Sequence, residues 1–421
     1  MKLNRLMVFC SAAIAACLFG GCTVDRSARS FSDDVAFLKS HRETIVLASA
    51  DQRSKVAVVP SICGRVFTTT ATGESGASYG FLNRDVIASK VTLPKINGYG
   101  GEDRFWLGPE GGQFAIFFDK GDQFTLDDWQ TPAPIDTEAY RVTAQDKSRV
   151  TMTHDASFTN FSGNTLKVKI DRTVRLIDRE AAYKDLGLSA GDLAGMSEFM
   201  SAGMVSCVAF ETDNAITNTG PAAWTKETGM LSIWTLGMFK PSPRCTAVIP
   251  YQAGSVGERG SIVKDDYFGK VPGDRLTTND HAIFFRADGV SRTKIGTSPW
   301  RSKSVCGSWD PELNVLTLVS FTRPAGATDY VNSMWEMQKE PFAGDVINNY
   351  NHAGMADGSP SFYELETSSP ALALAPGQSG QHVSRTVHFT GPRASVDRVA
   401  RATLGVSLDE IEKALPAKPR G

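Results

Sequence analysis

The chain has almost no charge imbalance: 44 Lys and Arg against 46 Asp and Glu leave a formal net charge of −2 over 421 residues. A nucleic-acid partner would usually demand a basic surface, so that class is set aside. Histidine is scarce, with six in the chain, at His41, His154, His281, His352, His382 and His388. Cysteine is sparse too, with seven, and Cys63, Cys207, Cys245 and Cys306 lie far apart with no C-x-x-C pair. Zinc-site spacing is therefore missing, and no metal is expected. Asp265-Asp266-Tyr267-Phe268-Gly269 clusters acids but lacks the spacing of a calcium loop. After residue 22 no apolar run approaches the roughly 20 residues of a bilayer span. There is no Gly-x-Ser-x-Gly elbow, no Walker loop and no nicotinamide fingerprint, so no cofactor is expected. Internal repeats and low-complexity segments are absent.

What is present begins with a targeting segment over residues 1–22. Lys2 and Arg5 form a positive start, Leu6 to Phe19 is apolar, and Leu18-Phe19-Gly20-Gly21-Cys22 looks like a lipoprotein processing site. Phe19 stands where Leu is usual. An ordinary secretory signal or a single membrane anchor is the alternative. Lipidation at Cys22 would tether the chain to a membrane. Thr23, in place of an Asp retention signal, favours an outer-membrane lipoprotein facing the periplasm. In that oxidising compartment the four remaining cysteines allow two disulfides in three connectivities, or four buried thiols.

Residues 23–43 read as a linker and short helix: Thr23 to Ser30 is a polar linker, and Ser32-Asp33-Asp34 then caps a brief helix. From residue 44 to 392 the pattern is that of strands. Ile45 to Leu47, Val56 to Val59, Arg65 to Phe67, Arg149 to Thr153, Leu166 to Ile177 and Val205 to Glu211 are apolar or alternating runs. Val168, Ile170 and the stem of Arg172 alternate with Lys167, Lys169 and Asp171, as in an antiparallel sheet with one wet face. Tyr183 to Met204 reads as a helical excursion. Arg286, Arg292, Lys294, Arg301 and Lys303 form a basic stretch around Trp300. Converging, they would favour an anionic sugar; alternating, they would sit on a solvated sheet face. Trp234 reads as a core residue. Residues 393–421 form a helical tail.

The densest chemistry is Gly100-Gly101-Glu102-Asp103-Arg104-Phe105-Trp106-Leu107-Gly108-Pro109-Glu110-Gly111-Gly112. It is followed by Gln113 to Phe118, which reads as a buried strand. From the residues alone, this run is either a hairpin tip with solvated charges or a binding site. At such a site the indole would stack on a sugar while charged groups bond its hydroxyls. The Gly-Gly-x-x-x-x-Trp-x-x-Pro-Glu spacing resembles a cleft-lining motif of the galactose mutarotase-like superfamily, and the likeness runs from about Thr44 to Thr390. The resemblance implies an all-β fold, a β-supersandwich of mainly antiparallel sheets with short peripheral helices, and a carbohydrate partner. It marks Glu102, Asp103, Arg104, Trp106 and Glu110, with Asn83 and Arg84 earlier in the chain, as substrate-binding candidates.

Late in the chain, Phe362 to Pro370 alternates, placing Glu364 and Glu366 on one strand face. Adjacent like charges raise one carboxylate's pKa. Leu365-Glu366-Thr367 is similar to the superfamily's catalytic strand, which implies Glu366 as base, with Glu364 as a substrate contact. The superfamily's paired histidines have no match here, leaving His352 and His388 as candidate acids. Three readings follow: a sugar epimerase-like isomerase, a carbohydrate-binding module without turnover, or a structural envelope lipoprotein. If Cys22 is the anchor, Cys22→Ala releases soluble protein or leaves it unprocessed. Processed mutant protein that fractionates with membranes like the parent would remove the anchor from Cys22.

Overall fold

The computed structural model describes residues 29–188, 205–354 and 360–415. Cys22 and the whole targeting segment lie outside these residues. Among the described residues three sheets carry the fold, and every strand pairing within them is antiparallel. A three-stranded N-terminal sheet joins Ile45–Ala48, Lys55–Val59 and Arg65–Thr70. A large sheet of ten strands runs in the order Leu276–Thr278, Ala282–Arg286, Thr246–Pro250, Val305–Asp310, Val315–Phe321, Ser379–Thr390, Ser206–Asn218, Thr165–Ile177, Arg149–Thr159 and Arg141–Gln145. A small sheet of five runs Thr293–Thr297, Ile347–His352, Phe362–Ser368, Ser232–Phe239 and Arg104–Gly108.

The large and small sheets face each other across a core that includes Phe285, Cys306, Val319, Phe239, Ile347, Tyr363 and Leu365. The far face of the large sheet is covered by the helices Arg393–Leu404 and Leu408–Ala414, whose Val396, Val399 and Ile411 pack with Trp309, Leu316 and Phe389. The expected C-terminal helical tail is thus a structural lid on the sandwich. The all-β sandwich architecture agrees with the sequence expectation, as does the alternation in Thr165–Ile177, where Val168, Ile170 and Arg172 are buried and Lys167 is exposed.

Several expectations need correction. Gln113 to Phe118 is not a strand: Ala115, Ile116, Phe117 and Phe118 are buried in an irregular path that follows Pro109. Proline cannot extend the ladder, and the aromatic rings find their burial against Trp106, Trp129 and Phe124 without backbone pairing. The first helix spans Phe31–His41 with Ser30 as its cap, two residues earlier than Ser32 suggested, because Asp33 completes a capping box. Phe31 and Leu38 pack with Phe67 and Ile87, so this helix is part of the folded body. The excursion after Ile177 includes the helix Arg179–Asp185; residues 189–204 lie outside the described part. The basic stretch does not alternate on a solvated face: Arg286, Lys294 and Arg301 are buried. Arg301 spends its guanidinium on the backbone carbonyls of Gln252, Gly254, Ser255 and Gly260. The four body cysteines are free, buried thiols.

Buried charge ties the two sheets together beside the motif. Arg172, from the large sheet, reaches Asp103 at 2.6 Å, Asn214 Oδ1 at 2.5 Å and the carbonyl of Gly64 at 2.9 Å. Thr212 donates to the other Asp103 oxygen at 3.0 Å. Close backbone approach makes Gly101 obligatory here: at φ +112° its Cβ would fall 2.7 Å from the Val66 carbonyl oxygen. The Arg172 and Asp103 side chains are 0% and 4% exposed, so removing one partner strands a buried charge. Asp103→Ala is expected to cost about 3–5 kcal/mol in urea unfolding. The same change at the exposed Asp127, paired with Lys95, should cost under about 1 kcal/mol. Equal losses in the two variants would contradict this role for Asp103.

Candidate functional site

The strand Phe362–Ser368 occupies the middle of the small sheet, and its alternation sends Tyr363 and Leu365 into the core and Glu364 and Glu366 to the opposite face. Register then decides their company. Glu366 lies beside Leu236 on one neighbour and Asn348 on the other, and Leu236 beside Arg104. Glu364 lies beside Tyr350, which in turn lies beside Lys294. Trp106 and Trp234 are cross-strand partners, with ring centroids 5.5 Å apart.

Lys294 Nζ lies 3.0 Å from Glu366 Oε2, and Trp234 Nε1 donates to the same oxygen at 3.0 Å. Glu366 Oε1 is buried and has no hydrogen-bond partner among the described residues. Arg104 donates to Glu364 at 2.6 Å while its guanidinium carbon sits 4.1 Å over the Trp106 ring. Lys294 Nζ is 4.8 Å from the Trp234 centroid. Glu110 accepts from Trp129 Nε1 at 3.1 Å, and Trp129 stacks on Phe117 and Trp335. Tyr267 closes another side through a short hydrogen bond to Asp345, and Asn348 Nδ2 donates to the Tyr267 hydroxyl at 3.2 Å. Gly296 is required where these meet, because a Cβ there would fall 2.1 Å from Asp345 Oδ2.

Electrostatics follow from burial among like charges. Burial pushes Glu364 up to about 7, the Glu366 charge adds to the rise, and Arg104 opposes it. Burial also raises Glu110 and Asp345. For Lys294, burial works against the charged form, but Glu366, Glu110 and Glu364 together outweigh it and hold the ammonium charged. Glu366 is fully buried. Glu110, Tyr267, Tyr350 and Trp335 retain partial exposure at the rim.

The structure therefore brings Arg104, Trp106, Glu110, Glu364 and Glu366 together and separates the other candidates from them. Glu102 points between the sheets, where it accepts from the Thr69 N–H at 2.6 Å and lies 2.8 Å from His388 Nε2. His388 also bonds Thr317 and stacks on Tyr79, on the other side of the small sheet from Glu366. Asp103 is the inter-sheet partner of Arg172. Asn83 caps the helix Arg84–Ser89, and Arg84 pairs with Asp34. His352 shares the site's sheet face but sits at the strand end, 2.9 Å from the Tyr350 hydroxyl and stacked on Phe362. Sequence reasoning missed Lys294, Trp129, Tyr267 and Asp345 as site residues. Trp234, read as core, is buried in the core cluster, and its indole N–H in addition serves Glu366. The strand of Lys294 gave a signal, since Gly296 two residues on marks a close approach on the same face.

A separate surface cleft of about 450 Å³ is lined by Lys226, Pro299, Trp300, Asp329 and Phe342. Its charged pair, Lys226 with Asp329, is half exposed, so it lacks the dry, perturbed carboxyls of the Glu366 cluster.

Among solved structures, the chain is similar to a protein of Synechocystis sp. PCC 6803, with 13% identity over 83% of this chain and 96% of that one and a TM-score of 0.49. It is similar to a putative aldose 1-epimerase of Escherichia coli K12, with 10% identity, coverage of 83% and 99%, and a TM-score of 0.46. A galactose mutarotase-like protein of Lactobacillus casei ATCC 334 gives 9% identity, coverage of 82% and 100%, and a TM-score of 0.46. No curated protein matches the chain. Residues 29–415 match the profile of a family of unknown function, DUF6786, and the chain belongs to that family.

Proposed function

We propose that the Glu366 cluster is a carbohydrate site that interconverts the anomers of a sugar, with Glu366 as base. The observation that carries this reading is the state of the Glu366 carboxylate. One oxygen is fixed by Lys294 and Trp234, and the other is buried, without a hydrogen-bond partner among the described residues. A buried acceptor left unmatched is costly unless it has a use. A sugar hydroxyl would satisfy it and give up a proton to it. The indoles of Trp106 and Trp234, 3% and 4% exposed, wall the site from the core side and hold Arg104 and Lys294 beside the carboxylates. Lys294 fixes the carboxylate's orientation and stabilises negative charge developing near it.

Binding without turnover is the second reading. What favours it is the placement of His388, which removes one of the two expected acids from the site. On either reading, Cys22 would tether this domain to the membrane with the sugar site facing the periplasm.

Glu366→Gln preserves shape and removes basicity. On the isomerase reading it binds sugar nearly as well as the parent and loses on the order of a hundredfold or more in rate. Full activity of that variant on a true substrate would end the assignment of Glu366 as base. Trp106→Ala should stay folded and lose the change in tryptophan emission on titration with mono- and oligosaccharides; unchanged affinity would remove Trp106 from the site.

Glu364 also predicts a pH effect. Its carboxyl titrates near 7 in the folded chain against an ordinary value of 4.5, so the folded state holds the proton more tightly than the unfolded one. Its stabilising effect is complete below about 4.5 and is lost as pH rises through about 7. Urea midpoints of the parent should therefore fall over that window more steeply than those of Glu364→Gln. Parallel slopes would show that Glu364 is not the titrating group.

A further inference from the structure

Anomer exchange needs two proton carriers, and the preceding reading names only one. His388 lies on the other side of the small sheet, held by Glu102 and Thr317. His352 sits at the strand end against Tyr350 and Phe362. Glu364 is committed to Arg104 at 2.6 Å. Asp345, also beside this cluster, is committed to the Tyr267 hydroxyl, which leaves Glu110.

Glu110 follows the strand Arg104–Gly108, two residues beyond Gly108 and four beyond Trp106. Its backbone N–H is fixed by Ser333 Oγ at 3.2 Å, and its side chain by Trp129 Nε1 at 3.1 Å. It keeps partial exposure where Glu364 and Glu366 do not, so it meets an incoming ring first. Lys294 is held by Glu366 at 3.0 Å, the charge of Glu110 also favours its ammonium form, and the Trp129 that bonds Glu110 packs on Trp106 with centroids 6.5 Å apart. The charge balance also specifies the ligand. The two buried cations here, Lys294 and Arg104, each already hold a carboxylate, at 3.0 and 2.6 Å; Lys264 and Arg292 stand outside them over the Tyr267 and Phe268 rings, so the buried part of the site has no cation spare for an anionic sugar.

We propose that Glu110 is the second proton carrier of this site, acting on an uncharged aldopyranose. The proposal rests on the isomerase reading of Glu366. Glu366 accepts the proton of the anomeric hydroxyl, and the C1–O1 double bond forms. The bond between C1 and the ring oxygen breaks, its electron pair passes to that oxygen, and Glu110 protonates it. After rotation about C1–C2 the steps reverse. The ring hydroxyl returns its proton to Glu110 and attacks the other face of C1, and Glu366 reprotonates O1. No bond change or proton is left over, and no co-reactant is needed. Burial keeps Glu110 protonated to higher pH than an ordinary glutamate, with Lys294 opposing that rise, as a donor near neutral pH requires.

The test follows the optical rotation of freshly dissolved α-D-glucose and α-D-galactose with the full chain, in the parent, Glu110→Gln, Glu110→Asp and Glu366→Gln, with thermal unfolding as a check on folding. The expected result is a parent that accelerates mutarotation of at least one sugar. Glu110→Gln should then lose on the order of a hundredfold or more in kcat with KM within about threefold, and Glu110→Asp should recover part of the rate. A folded Glu110→Gln protein with parental kcat overturns the role of Glu110 and leaves Glu366 standing. A raised KM with kcat kept makes Glu110 a binding residue and also overturns it. A parent that accelerates neither sugar overturns the isomerase reading itself, and the role of Glu110 with it.

Discussion

The guanidinium of Arg172 is the fixed point of this fold. It crosses from the large sheet to Asp103 at the start of the small sheet's edge strand, and it is fully buried in doing so. Ions taken out of water demand a complete set of partners, and here Asp103, Asn214 and the Gly64 carbonyl supply them. Once Asp103 is committed inward, strand alternation leaves Arg104 no choice but the outer face, where it meets Glu364. Glu102 adds a second inward tie through His388 and Thr69. Three consecutive charged residues thus serve two different regions, the first two holding the sheets together and the third building the site.

That division explains how much of the site was readable from sequence. Period-two alternation placed Glu364 and Glu366 on one face, and the Trp-x-x-Pro-Glu spacing picked out Trp106 and Glu110; both patterns are local, and the structure keeps them together. What failed was long-range. Glu102 and Asp103 look like surface charges until Arg172 and His388 arrive from strands 69 and 286 residues away in sequence. Lys294 looks like its exposed neighbour Arg292 until the register with Tyr350 turns it toward three carboxyls. Asn83 and Arg84 satisfy a helix cap and a pair with Asp34, a use that no motif in the chain announces.

The architecture was more legible than the site because it depends on repeated weak signals. Each apolar or alternating run from Ile45 onward voted for a strand, and errors such as Gln113 to Phe118 did not change the outcome. That segment shows where the vote misleads: burial of Ala115, Ile116, Phe117 and Phe118 was readable, but pairing was not. Aromatic residues bury equally well in an irregular wall, and here that wall encloses the site through Phe117 and Trp129. A carboxylate cluster also depends on exclusion of water, which comes from such walls and not from the strand that carries the acids.

The four free cysteines have a consequence for where the molecule can work. Burial pushes Cys63, Cys207 and Cys306 up to about 12, and Cys245 well above its usual value. Oxidation and disulfide exchange proceed through the thiolate as nucleophile, which these sites withhold. The described body is therefore indifferent to redox conditions: it needs no oxidase to mature and has no bridge for a reductant to cut. A sandwich held by packing and buried ion pairs can pass from a reducing to an oxidising compartment without any change in its covalent structure.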